Sequence, residues 1–117
     1  MKMSLMFLLS LGFCQPAGHL SRVETEQARD LIRQHGCGSC HVVPDMPAPQ
    51  GNTGPSLADQ GRKAYVAGVL PNTPTMLAAF IHDPKRMNPP TAMPDLGVTT
   101  TNAQLIAAYL LDRGGAP

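Results

Sequence analysis

Two thiols and an imidazole stand close together at Cys37, Cys40 and His41. Cysteines at this spacing, at the start of a helical turn, can each reach one vinyl group of a single porphyrin and form a thioether. The histidine next in line then points its imidazole at the iron, so Cys37-Gly38-Ser39-Cys40-His41 reads as the attachment signal for a covalent c-type haem. Three other chemistries use the same residue types. A thioredoxin-like redox pair should follow a strand in a βαβ unit, and no alternating or β-branched run precedes Cys37. A structural zinc site needs further ligands at matching spacing, and the other cysteine, Cys14, falls in a segment expected to be removed or lipid-linked. A disulfide between Cys37 and Cys40 would close a loop too short to stabilise much and would leave His41 unexplained.

An iron held by His41 has a second axial position. Left open, that position means ligand binding or catalysis; filled, it means electron transfer. Met46 lies too near His41 in sequence to cross to the opposite face, and Met76 sits in the first turn of an expected helix. Met87 and Met93 share a proline-rich stretch, and Pro94 pre-orders the backbone after Met93 and removes a competing donor. Met93 is the favoured ligand. His82, at the end of an expected helix, is the rival; His35 adjoins the attachment segment and His19 belongs to a terminus.

The elements that must position these residues are helices. Ser21-Arg22-Val23-Glu24 has the form of a capping box; Ala28, Leu31, Ile32 and His35 follow at helical spacing, and Gly36 is placed to end the helix. From Val42 to Gly61 the composition turns to Pro, Gly, Asp and Asn and reads as loop. Arg62 to Leu70 is a short helix candidate. Thr73 and Pro74 start another helix, with Leu77, Phe80 and Ile81 on one face, that stops before Pro84. A second proline loop spans residues 84 to 98, and Thr101-Asn102-Ala103-Gln104 is a further capping box leading Ile106, Tyr109 and Leu110 to Gly114. No strand and no internal repeat emerges. The expectation is an all-α chain of short helices and long proline loops, an arrangement that needs something between the loops to pack against. The chain has no Trp, three Phe and two Tyr, and a buried porphyrin would supply the missing aromatic mass.

Residues 1–18 read as an export signal or lipoprotein signal, with 19–117 as the domain. Lys2 precedes the apolar run Leu5 to Phe13, which is far too short to span a membrane, and Cys14 is a possible acylation site and membrane tether. Export implies a periplasmic or otherwise extracytoplasmic protein. Nine Lys plus Arg face eight Asp plus Glu; without Lys2 the count is eight against eight. Such a neutral chain has no basic patch for nucleic acid.

Four pieces, in order, carry a family resemblance: Cys37 to His41, Gly54-Pro55-Ser56-Leu57, Thr91-Ala92-Met93-Pro94-Asp95-Leu96-Gly97, and Ile106-Ala107-Ala108-Tyr109-Leu110. Over about residues 22 to 113 the chain resembles the class I cytochrome c family of bacterial type. The resemblance implies the cytochrome c fold wrapped around one covalent haem c. It gives Cys37 and Cys40 as the thioether residues, His41 and Met93 as the iron ligands, and Pro55 as the residue whose carbonyl orients His41. It adds Leu57 beside the haem and Arg62 and Asn72 as bonds to its propionates. The stretch Tyr65 to Phe80 is most similar to bacterial cytochrome domains, including those fused to haem-copper oxidase subunits, with Phe80 standing where a Trp is often found. The implied function is single-electron transfer without catalysis, to a redox partner such as a dehydrogenase, oxidase or cytochrome complex. The alternative is an electron-transfer subunit held tightly in a larger respiratory complex, and a third reading is an open-haem enzyme or gas sensor.

Overall fold

A computed structural model describes residues 19–47 and 50–115, and the suspected signal segment, Cys14 included, lies outside them. Helix α1 spans Arg22–Gln34, α2 Pro74–His82, α3 Pro84–Met87 and α4 Thr100–Arg113.

Helix α1 begins where its capping box was expected. Ser21 Oγ accepts from the Glu24 amide at 3.1 Å, and the Glu24 carboxylate accepts from the Ser21 amide at 2.8 Å. The Ser21 amide, and after it the Ser21 side chain, hold the Glu24 carboxyl below its ordinary value. Thr25, Ala28 and Ile32 repeat at helical spacing and are buried, while Glu26–Arg29 and Asp30–Arg33 ion pairs cover the outer face. Gly36 ends the helix with φ 69°, a left-handed conformation that glycine adopts without a Cβ clash.

Helix α2 is capped by Thr73, whose Oγ1 accepts from the Met76 amide at 3.1 Å, with Pro74 in its first turn. It stops before Pro84 as expected, but the proline loop does not begin there. Asp83 ends one helix and caps the next: its Oδ1 accepts from the Arg86 amide at 3.3 Å and starts the single turn of α3. A proline that breaks one helix is well suited to open another.

Two further expectations are corrected. The stretch Arg62 to Leu70 is not a helix. After a 3-10 turn at Gln60–Arg62 it forms an antiparallel hairpin, β1 (Tyr65–Val66) on β2 (Leu70–Pro71), with Tyr65 opposite Pro71 and Val66 opposite Leu70. Ala67 and Gly68, at φ 51° and 73°, are the central residues of a turn that the Val69 amide closes onto the Val66 carbonyl at 3.1 Å, and Val69 completes a three-residue connection between the strands. Helix α4 is capped by Thr99, not Thr101: Thr99 Oγ1 accepts from the Asn102 amide at 3.2 Å. The earlier start lets buried Val98 and Ala103, flanking the first turn, enter the same core as a hydrophobic staple.

That core is formed by helices α1, α2 and α4. Ile32 from α1, Leu77, Phe80 and Ile81 from α2, and Ile106, Tyr109 and Leu110 from α4 meet in it. Each such side chain contributes about 1.5–3 kcal/mol by leaving water. The helices pack on one another, and the irregular segments 42–47, 50–59 and 88–99 are tied to them along their length by hydrogen bonds.

Candidate functional site

The turn at Gly36 delivers the chain into a short 3-10 helix, Cys37–Ser39, held by the Ser39 amide on the Gly36 carbonyl at 3.0 Å. The Cys40 and His41 amides both donate to the Cys37 carbonyl, at 3.3 and 3.0 Å. This single turn sets two thiols one above the other and the imidazole just beyond them. Both cysteines are free; Cys37 is half-buried against the core and Cys40 exposed. Burial pushes the Cys37 thiol up from its ordinary value, outweighing a backbone hydrogen bond, and Cys40 adds to the rise. A dithiol built for exchange chemistry has a lowered thiol, the opposite of the direction at Cys37.

The loop that follows folds back along the motif. Gly51, Gly54 and Leu57 amides donate in turn to the carbonyls of Gly38, Cys40 and Val42, at 2.7, 2.7 and 2.8 Å. This register brings the Pro55 carbonyl oxygen to 2.6 Å from His41 Nδ1. A carbonyl only accepts, so Nδ1 carries the hydrogen and Nε2 presents its lone pair. Gly54 lies flat on the same ring: a Cβ there would stand 2.7 Å from Nδ1, and closer still to Cε1. Leu57 is half-buried against the core.

Of the methionines, Met93 is half-buried against the core, its amide donating to Thr91 Oγ1 at 3.2 Å. Met46 and Met87 also pack against the core, and Met76 sits in the first turn of α2. His82 turns Nδ1 to the Val98 carbonyl at 2.7 Å, His35 turns Nδ1 to the Leu96 carbonyl at 3.3 Å, and His19 pairs with Asp112 at 3.2 Å. Arg62 donates through Nε to the Gly115 carbonyl at 3.0 Å. Asn72 donates through Nδ2 to the Gln60 and Lys63 carbonyls at 2.7 and 2.8 Å, cinching the loop that carries Arg62.

The family model "Cytochrome c" matches residues 25–113. The chain belongs to the cytochrome c family. Membership brings a covalently bound c-type haem and electron transfer through it. The cytochrome's own residues fit that group: two free thiols a single turn apart, and an imidazole whose Nε2 is left for a metal. The chain is 33% identical over 84 residues to cytochrome c oxidase subunit 2 of Bacillus subtilis (strain 168), covering 67% of this chain but only 24% of that relative. The cytochrome thus spans about a quarter of the curated protein it matches. No solved structure matches it significantly.

Sequence reasoning passed over Gly54 and Tyr109 as site-shaping residues. Gly54 stands in Gly54-Pro55-Ser56-Leu57 with nothing in its residue type to signal that a ring rests on it. Tyr109 read only as a helix face, whereas its hydroxyl reaches the Pro44 carbonyl, just beyond His41.

Proposed function

We propose that this cytochrome is an extracytoplasmic single-electron carrier with Cys37 and Cys40 as thioether residues and His41 and Met93 as axial ligands. When bound, the haem supplies a one-electron iron couple. The observation that carries the reading is the 2.6 Å contact between His41 Nδ1 and the Pro55 carbonyl. It fixes the tautomer, aims Nε2 away from the loop and raises the basicity of the ring. Met93, on a loop remote in sequence from His41, supplies a thioether; a sulfur opposite an imidazole raises the potential relative to two nitrogens and closes the coordination shell against substrate. Leu57 lines the same loop on its apolar side. Arg62 offers its terminal guanidinium nitrogens to a propionate. Asn72, with both amide hydrogens given to backbone, acts by ordering the Arg62 loop. The suspected signal at residues 1–18 supports export, and Cys14 supports a membrane tether. Among the described residues no helix is long and apolar enough to cross a membrane.

Oxidised protein tests the ligand set. The weak near-infrared sulfur-to-iron band should be present in the parent and in Met87→Ala and absent in Met93→Ala, and reduced parent protein should not bind carbon monoxide. A band that survives Met93→Ala sinks the assignment, and carbon monoxide binding would favour an open-haem enzyme.

A second reading is favoured by the relative named as an oxidase subunit: the cytochrome works as a tightly held electron-transfer subunit of a respiratory complex. Co-purification with a catalytic chain supports it, and a freely diffusing monomer counts against it.

A further inference from the structure

The stretch from Asn88 to Thr99 carries Met93 and has no regular structure, and Pro89, Pro90 and Pro94 remove backbone donors that could have tied it down. Its internal hydrogen bonds are local: the Thr91 amide on the Asn88 carbonyl, the Met93 amide on Thr91 Oγ1, and the Gly97 amide on Asp95 Oδ1. None of these fixes the loop relative to the rest of the molecule.

Side chains from helix ends do. Lys85, on α3, donates to the Thr91 carbonyl at 2.6 Å. Beyond Met93, two imidazoles take over. His35, the residue closing α1, holds the Leu96 carbonyl at 3.3 Å, and His82, the last residue of α2, holds the Val98 carbonyl at 2.7 Å. Val98 is 2% exposed, so its end of the loop is seated in the core. Each imidazole donates through Nδ1, and that hydrogen is present on the neutral ring in this tautomer and on the charged ring alike.

On the reading that Met93 is the axial ligand, we propose that His82, with His35, is a positioning residue for it: the two imidazoles hold the loop so that the thioether stays seated. His35 also lies two positions before Cys37, so its bond to Leu96 ties the thiol segment directly to the methionine loop. The histidine that looked like a rival ligand in the sequence is thereby assigned to the ligand's support.

The test uses oxidised holoprotein and added free imidazole, which displaces the methionine only when the loop opens. Removing one hydrogen bond from the closed loop should raise the open population, so His82→Leu should bind imidazole about fivefold tighter than the parent. His82→Asn, whose side-chain amide can donate from near the Nδ1 position, should bind within about twofold of the parent. Thr25→Ala, a buried change in α1 far from the loop, should leave the affinity unchanged even if the protein melts lower. A second readout does not depend on the ligand: amide hydrogen exchange at Gly97 and at Ala103, which donate to Asp95 Oδ1 and to the Thr99 carbonyl, should speed up about fivefold in His82→Leu and not in His82→Asn. Unchanged exchange and affinity in His82→Leu, or an Asn variant as loose as the Leu variant, overturns the proposal. If Met93→Ala keeps the sulfur band, the ligand reading fails by itself, and the exchange arm still decides whether His82 holds the loop.

Discussion

The hydroxyl of Tyr109, on a side chain with no exposed surface, donates to the carbonyl of Pro44 at 2.6 Å and joins α4 to the segment leaving His41. Arg29 reaches the same oxygen from α1, with Nε at 3.4 Å and its guanidinium carbon 6.0 Å from the ring centre. Three parts of the chain therefore meet on one phenol. Tyr109→Phe keeps the ring and removes the donor, leaving a buried carbonyl without its partner, and should cost about 1–3 kcal/mol. Denaturant unfolding of the holoprotein measures it, and a loss below a few tenths of a kcal/mol would mean that water replaces the hydroxyl.

Gly54 is the residue on which the His41 ring rests, and the side chain it lacks would enter that ring. Gly54→Ala should displace either the imidazole or the loop carrying Pro55. The expected result is fewer haems per polypeptide and a shifted potential in the fraction that forms, read by haem stoichiometry and redox titration. Parent-like values in both would show that the loop yields without disturbing His41.

Removing the cofactor is the harsher perturbation. Among the described residues the proline loops at 42–59 and 88–99 have no helix or strand of their own to hold them once the haem is gone, so Cys37→Ala combined with Cys40→Ala should leave a chain that unfolds or is degraded. Circular dichroism of whatever accumulates is the measurement. Native helicity without haem would show that the α1, α2 and α4 core suffices.

Docking should be insensitive to salt. Without Lys2 the charges balance at eight against eight, and Arg29, Arg33, Lys63 and Arg113 are neutralised locally by acidic neighbours at 2.9–3.6 Å. Two ionised propionates would bring the holoprotein to about −2, too little for strong steering. Association with the native redox partner should change less than about threefold between low and physiological ionic strength, followed by stopped-flow electron transfer. A steep fall with salt would identify Lys85 and Arg86 as part of a basic docking face.

What was legible in the sequence was local chemistry. The thiols and imidazole, the Ser21 cap answered by Glu24, and the Thr73-Pro74 helix start all depend on partners within a few positions, where spacing is geometry. The Pro55 contact with His41 entered through the family resemblance and not through spacing. The hairpin was missed because the apolar residues of Arg62 to Leu70 run together, Ala64 to Ala67 and then Val69-Leu70, without alternating, so over nine positions period 2 does not separate from period 3.6. What decided it was a turn with Ala67 at positive φ, which residue type does not announce. The Thr99 cap lost to Thr101 for want of knowing that Val98 would be buried. Tyr109 with Pro44, and His82 with Val98, join residues 65 and 16 positions apart; only the packed helices bring them together.

The hairpin has a practical consequence. Its tip at Ala67 and Gly68 is exposed, and a Cβ built on Gly68 meets nothing within 4 Å. Asn72 closes the base of the excursion onto Gln60 and Lys63, so whatever is threaded through the tip stays outside that closure. Here the chain can be opened for engineering: a peptide handle inserted between Ala67 and Gly68 would anchor the protein to a surface or splice it to another domain.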